Sequence, residues 1–168
     1  NMNMTSKENF LVFDVETTGV NFETDQIIEI AMQFGINENS KLSTWRIKPT
    51  IPIPPQSTAI HGITNEDVQN EPNFPALADQ LKSHIDAADI IIGYNVSFDI
   101  KMLLAEYARN KITPPNLQDK IIIDPYQIWR KVEPRNLGAA MQRFVGNELI
   151  DAHSAGADVS ATAQVLNG

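Results

Sequence analysis

Phe10-Leu11-Val12-Phe13-Asp14-Val15-Glu16-Thr17-Thr18-Gly19 is the stretch whose reading decides the fold. Four apolar residues run into an acid, one apolar residue, a second acid and then Thr-Thr-Gly. The apolar run reads as a buried strand and Thr-Thr-Gly as the turn that ends it. Side chains two apart on a strand share a face, so Asp14 and Glu16 stand side by side. Two neighbouring carboxylates at the end of a buried strand repel unless a proton or a cation lies between them, and a metal site explains the pairing. The competing reading puts both acids in a solvated loop beyond the strand.

Outward from this strand, the pattern continues as an α/β domain. Ile27 to Gly35 alternates as a second strand, Asn37-Glu38-Asn39-Ser40 is a turn, and Thr44 to Pro49 reads as a third strand returning antiparallel. Pro49 to Pro55 is too rich in proline for a central strand and reads as an extended surface connection. Phe74, Leu77, Ala78, Leu81 and Ile85 share one face of a helix over Phe74 to Ala87. Asp89 to Gly93 has the fully apolar centre of a parallel strand. Phe98, Ile100, Leu103, Leu104 and Tyr107 are spaced helically up to Arg109, with Asn95 as candidate N-cap. Ile121-Ile122-Ile123 reads as one more buried strand, Asp124-Pro125 as a helix start, and 135–145 and 155–166 as the last helices. The expectation is one domain over residues 1–168 with a mixed central sheet of about five strands flanked by helices. Residues 1–8 read as a flexible N-terminus or in part a cloning remnant, and are excluded from fold reasoning.

The chain holds 168 residues, 42% apolar and 20% charged, which suits a globular domain rather than a disordered chain. It has no cysteine, so disulfide frameworks and thiolate metal sites are excluded. There is neither an apolar run long enough to span a bilayer nor a signal pattern, and a cytoplasmic location is the default expectation. A net charge of −8 argues against tight duplex binding. Bound divalent cations would offset part of that charge, and Lys101, Arg109, Lys111, Lys120, Arg130, Lys131, Arg135 and Arg143 gather eight of the thirteen basic residues between positions 101 and 143. Weak binding over a short footprint fits this balance; solvated helix faces are the plainer reading of each basic residue.

Two more acids are candidates. Asp99 falls in the first turn of a helix directly after a buried strand, where helix-dipole complementarity alone would also place it. Asp158 lies five residues after His153, a spacing about 140° apart on a regular helix. His153 therefore reads as preceding the helix that carries Asp158, which lets the two converge; a structural histidine at a helix start is the alternative.

Asp14-x-Glu16-Thr17-Thr18-Gly19, Asn95-x-x-Phe98-Asp99 and His153-x-Ala155-x-x-Asp158, in this order, resemble the DEDDh class of 3′–5′ exonucleases, which includes the proofreading epsilon subunit of bacterial replicative DNA polymerase. Ile60-His61-Gly62-Ile63-Thr64 matches a further feature of that family, and the resemblance runs from about residue 10 to 166. It implies a ribonuclease H-like fold and two Mg²⁺ or Mn²⁺ ions roughly 4 Å apart, a choice that all-oxygen ligands favour over zinc. It further implies that Asp14, Glu16, Asp99 and Asp158 are metal ligands and that His153 is the general base that takes a proton from the attacking water. Thr17, Thr18, His61 and Asn95 are the implied substrate contacts, and Asn95 serves equally well as a cap. The implied reaction releases nucleoside 5′-monophosphates from single-stranded or frayed 3′ ends of DNA, in partnership with a DNA polymerase or another replication or repair protein. One departure stands out: Tyr94 occupies a position where the family often has histidine. His84 reads as surface, Asp124 as a cap and Asp151 as loop.

Three alternatives compete with this reading. An exoribonuclease of the same class would trim RNA 3′ ends. A haloacid dehalogenase-type phosphatase would want an Asp where Glu16 stands and a later Lys and Gly-Asp motif, none of which is suitably placed. A non-catalytic, partner-binding module would tolerate loss of a ligand, yet all five positions are filled.

Overall fold

The computed structural model describes residues 9–126. Its centre is a five-stranded sheet in the order β3-β2-β1-β4-β5, formed by β1 (Phe10–Thr17), β2 (Ile27–Phe34), β3 (Lys41–Arg46), β4 (Ile90–Ile92) and β5 (Ile121–Ile123). β1, β2 and β3 are successive antiparallel neighbours, joined by loops over residues 18–26 and 35–40. β4 and β5 lie parallel on the other side of β1, and each is reached through a longer connection. The mixed sheet expected from the alternation is therefore present.

Four helices are described: α1 (Pro55–His61), α2 (Asn65–Val68), α3 (Phe74–Asp86) and α4 (Val96–Arg109). The period-two alternation of β1 sorts its side chains. Leu11, Phe13 and Val15 enter the main core with Ile27, Ile30 and Met32 of β2 and the apolar stripes of α3 and α4. Val12 faces the other way with Ala31, Ile90 and Ile92, and Asp14 and Glu16 follow it on that second face. A third cluster of Ile28, Ile53, Ile63 and Val68 seats α1 and α2 at the β2 end.

Several expectations are corrected. The third strand begins at Lys41 and ends at Arg46, because its register with β2 runs from Phe34↔Lys41 to Glu29↔Arg46. Beyond it Ile47 still donates to Ile28 O at 2.9 Å, but Lys48 turns away to Pro72 O at 2.8 Å. The 49–55 connection ends in a helix absent from the sequence reading: Pro55 occupies the first position of α1, and Gly62 closes it at φ 78°. α2 was also missed, although Thr64 and Asp67 form a capping box. β5 is an edge strand rather than a buried one, with Ile121 55% exposed. His84 is not a bare surface group; its ring lies 4.9 Å from Phe34 and 5.5 Å from Trp45, between centroids. The expected helices beyond 126, with Asp151, His153 and Asp158, lie outside the described residues.

Candidate active site

β1 and β4 run parallel side by side, and their C-terminal ends lie at the same end of the sheet. The parallel register pairs Val12 with Ile92, so Asp14 lies beyond the last residue of β4, where the chain turns through Gly93-Tyr94-Asn95 into α4. This turn requires glycine: a Cβ on Gly93 would stand 2.5 Å from the Phe13 carbonyl oxygen and 3.1 Å from Val96 Cγ2. The close approach sets the first turn of α4 against the end of β1, and Asp99 in that turn is 4% exposed. Burial of a carboxylate at a helix N-terminus is favoured by the dipole there. Asn95 is the N-cap residue as expected, but in a left-handed conformation (φ 52°) with no side-chain capping bond, and it is exposed. Tyr94, beside it, has a buried hydroxyl without a hydrogen-bond partner among the described residues. Burial, reinforced by the Asp124 charge, pushes that phenol up to about 12. Asp124 itself accepts the Tyr126 N–H at 3.0 Å, in keeping with a cap.

Glu16 lies directly opposite Glu29 of β2, which in turn lies opposite Arg46 of β3. Arg46 Nε is 3.5 Å from Glu29 Oε1, so a guanidinium offsets the second carboxylate of a row that would otherwise set two acids face to face. One residue on, the register slips: Thr17 pairs with Ile27, leaving Ile28 as a bulge. The bulge turns the strand end into the Thr17-Thr18-Gly19 loop.

That loop is fastened from three sides. Thr17 Oγ1 donates to Gly19 O at 2.6 Å, and Thr18 Oγ1 donates to Asp25 Oδ1 at 2.8 Å while accepting the Gln26 N–H at 3.0 Å. From α1, Ser57 Oγ donates to Thr18 O at 2.5 Å. His61 Nδ1 accepts the Ile63 N–H at 3.1 Å, which leaves Nε2 as the protonated nitrogen, donating to Thr17 O at 3.1 Å. Burial pulls His61 below its ordinary value, an effect that the Thr17 bond opposes and the Arg46 charge reinforces. His61 is therefore a neutral clamp on the turn.

From α4, Arg109 Nη2 donates to Phe22 O at 3.3 Å and Asp25 O at 3.0 Å. Glu106 accepts the Ile27 N–H at 2.8 Å and pairs with Arg109 at 2.8 Å. Burial raises the Glu106 carboxyl, against these stabilising contacts. The helix that carries Asp99 thus also sets the loop after Glu16. Val20, Phe22 and Ile60 leave apolar surface exposed around the same loop.

Asp14 and Glu16 lie two apart on β1, and Asp99 lies in the first turn of α4, which follows β4. Thr17, Thr18 and His61 form the adjoining turn, and Asn95 begins α4. Among the described residues no group of three or more acids or histidines is placed so that it could hold a metal ion. Sequence reading missed Glu29, Arg46, Phe22, Glu106 and Arg109, whose roles arise from cross-strand register and helix-to-loop contacts.

A protein-family profile described as exonuclease matches residues 11–166. The chain belongs to that exonuclease family. Its fold is ribonuclease H-like. It is 28% identical over 166 residues to the 3′-5′ exonuclease DinG of Staphylococcus saprophyticus, covering 96% of this chain and 18% of that protein. It is 29% identical over 166 residues to DNA polymerase III subunit epsilon of Haemophilus influenzae, covering 92% of this chain and 64% of that one. The exonuclease I–single-stranded DNA complex of E. coli, in its zinc-bound form, superposes with a TM-score of 0.75 at 24% identity, over 93% of this chain and 39% of that one. The exonuclease chain therefore spans less than two thirds of each of these proteins. Among its described residues no helix is long and apolar enough to cross a membrane.

Proposed function

We propose that this exonuclease removes nucleotides one at a time from the 3′ end of single-stranded or frayed DNA, releasing nucleoside 5′-monophosphates, in the service of a DNA polymerase or another replication or repair protein. The observation that supports the reading is the match of an exonuclease profile to residues 11–166, a span that holds Asp14 and Glu16 two apart on β1 and buried Asp99 in the first turn of α4. The donors are all hard carboxylate oxygens, which suits Mg²⁺ or Mn²⁺. Asp158 completes the ligand set. When bound, two such cations supply a water of lowered pKa and stabilise charge on the attacking and leaving oxygens.

The chain's own groups do the rest. His153 takes the proton of the attacking water. The terminal nucleotide seats against the Thr17-Thr18 turn, whose shape is fixed by His61 and by its own hydroxyl bonds. Asn95, with its side chain free of any capping bond, contacts the substrate at the start of α4. The DNA preference is supported by relatives named as DNA polymerase subunits and by the single-stranded DNA held by the E. coli exonuclease I neighbour.

The test sets 5′-labelled single-stranded DNA beside RNA of the same sequence, with Mg²⁺, Mn²⁺ or EDTA. The expected result is a metal-dependent ladder shortening from the 3′ end, faster on DNA. Asp14→Ala and His153→Ala should each lower the rate by at least about a hundredfold, the low end for loss of a general base, while circular dichroism stays native. Turnover in EDTA, or undiminished activity in both variants, rejects the mechanism. Faster RNA cleavage converts the reading to an exoribonuclease.

A further inference from the structure

Phe22 lies in the loop that follows the Thr17-Thr18-Gly19 turn, and the residue is 36% exposed. The loop around it is closely fastened. Asn21 N–H donates to Asp25 Oδ2 at 3.0 Å, Glu23 N–H to Asn21 Oδ1 at 2.9 Å and Asp25 N–H to Asn21 O at 2.8 Å. Arg109 holds the Phe22 carbonyl itself. The ring is supported from behind by Phe98, the neighbour of Asp99, at 5.5 Å between centroids and an interplanar angle of 46°. Lys101, three residues after Phe98 and about one helical turn on, places its ammonium 5.9 Å from the Phe22 ring centroid. An apolar ring held at the surface loses little freedom on meeting a ligand, so its exposure is pre-organised for contact. A base presents a π-face that any aromatic ring can meet, and the strand that carries it also carries phosphate, which a lysine on a flexible stem can reach.

We propose that Phe22, backed by Phe98 and flanked by Lys101, is the seat for one of the bases just upstream of the terminal nucleotide, with Lys101 on the adjoining phosphate. The ligand is a nucleotide of a single strand; stacking makes the seat tolerant of base identity. This rests on the exonuclease reading above and adds a site away from the acids that hold the reacting phosphate. It also accounts for how an acidic protein holds its polyanionic substrate, by a ring and one cation rather than a broad basic surface.

The test uses 5′-labelled 12-mers of single-stranded DNA in Mg²⁺, intact or with each of the four bases nearest the 3′ end removed in turn. For Phe22→Ala, KM on the intact strand should rise by about tenfold, within the range that loss of one base–aromatic stack gives. That penalty should vanish on the strand whose missing base is the one seated on the ring. Phe22→Leu, which keeps the contact with Phe98, should show the same pattern, and Phe22→Trp should restore the wild-type KM. Lys101→Met should lower the dependence of log KM on log salt by about 0.7, the contribution of one phosphate on a single strand. An equal penalty on every abasic strand would show that Phe22 only props the turn and overturns the proposal, as would no penalty at all while the wild type cleaves normally. Failure of the wild type to degrade any single strand rejects the exonuclease reading and this inference with it.

Discussion

At Thr17 and Thr18, the groups that sequence resemblance would hand to the substrate are already engaged inside the protein. Both hydroxyls donate inward, to Gly19 O and Asp25 Oδ1, and both carbonyls are held from α1, by His61 and Ser57. His61 shows what this engagement requires of a side chain. Its Nδ1 must accept and its Nε2 must donate, a combination only the neutral ring provides. Its value in the folded protein is depressed below the ordinary 6.5, chiefly by burial. The unfolded chain therefore binds the proton first as pH falls, so His61 contributes full stability above about 6.5 and progressively less below it. Thermal midpoints should drop as pH is lowered from 7.5 to 5.5. In His61→Gln, whose amide can still donate to Thr17 O but cannot titrate, that drop should shrink even though the neutral-pH midpoint is lower. An identical pH slope in the variant would remove His61 from this role.

At the level of elements, α4 joins the two halves of the site. Its first turn brings Asp99 to the end of β1, and its last turn, through Glu106 and Arg109, holds the loop that Glu16 runs into. Glu106 is buried, with one oxygen on the Ile27 N–H and the other on Arg109. Removing it leaves the buried Ile27 amide without its acceptor and takes the carboxylate from Arg109, which keeps the Phe22 and Asp25 carbonyls, a loss with a typical cost of about 1–3 kcal/mol. Glu106→Ala should accordingly lower chemical-denaturation stability by that amount and reduce exonuclease activity as well, because the loop loses its anchor; Glu106→Gln, which keeps the oxygen for Ile27, should lose less. Equal stability of Glu106→Ala and wild type would contradict the clamp. What the sequence disclosed divides along the same line. The period of β1, β2 and α3 and the apolar run of β4 identified them because burial on a face writes itself into the chain. Asp14, Glu16 and Asp99 could be placed because strand period and helix start fix them locally. β3 was displaced by three residues because an exposed strand leaves a weak pattern, and α1 and α2, of seven and four residues, are too short for one. Their punctuation was present nonetheless, in Pro55, Gly62 and the Thr64–Asp67 capping box. Glu29, Arg46, Glu106 and Phe22 could not be placed from the sequence, since each makes a contact that defines its role with a residue more than a dozen positions away.

For the whole molecule, the governing quantity is charge. A chain of net −8 carries Asp14 and Glu16 on its central strand and Asp99 in the first turn of α4, and sets Glu29 opposite Glu16, with Arg46 paired to Glu29 and to Asp67. Cations that bind these acids in the folded state and find no such arrangement in the unfolded chain must stabilise the fold by mass action. At a hundredfold excess over Kd the gain is about 2.7 kcal/mol for one site, which for a domain of this size corresponds to a rise in Tm of about 5–10 °C. Melting the wild-type chain in Mn²⁺ against EDTA should show that rise without any nucleic acid present, so the result does not depend on choosing the right substrate. Asp14→Asn, isosteric but uncharged, should abolish most of it, whereas Glu38→Gln in the exposed turn before β3 should leave it intact. A wild type with no Mn²⁺ shift, or an Asp14→Asn variant that keeps the full shift, would take Asp14 out of the ligand set. Because the melt reads binding alone, a positive shift in a chain that cleaved neither DNA nor RNA would localise the failure to the base or the substrate seat and leave the carboxylates as assigned.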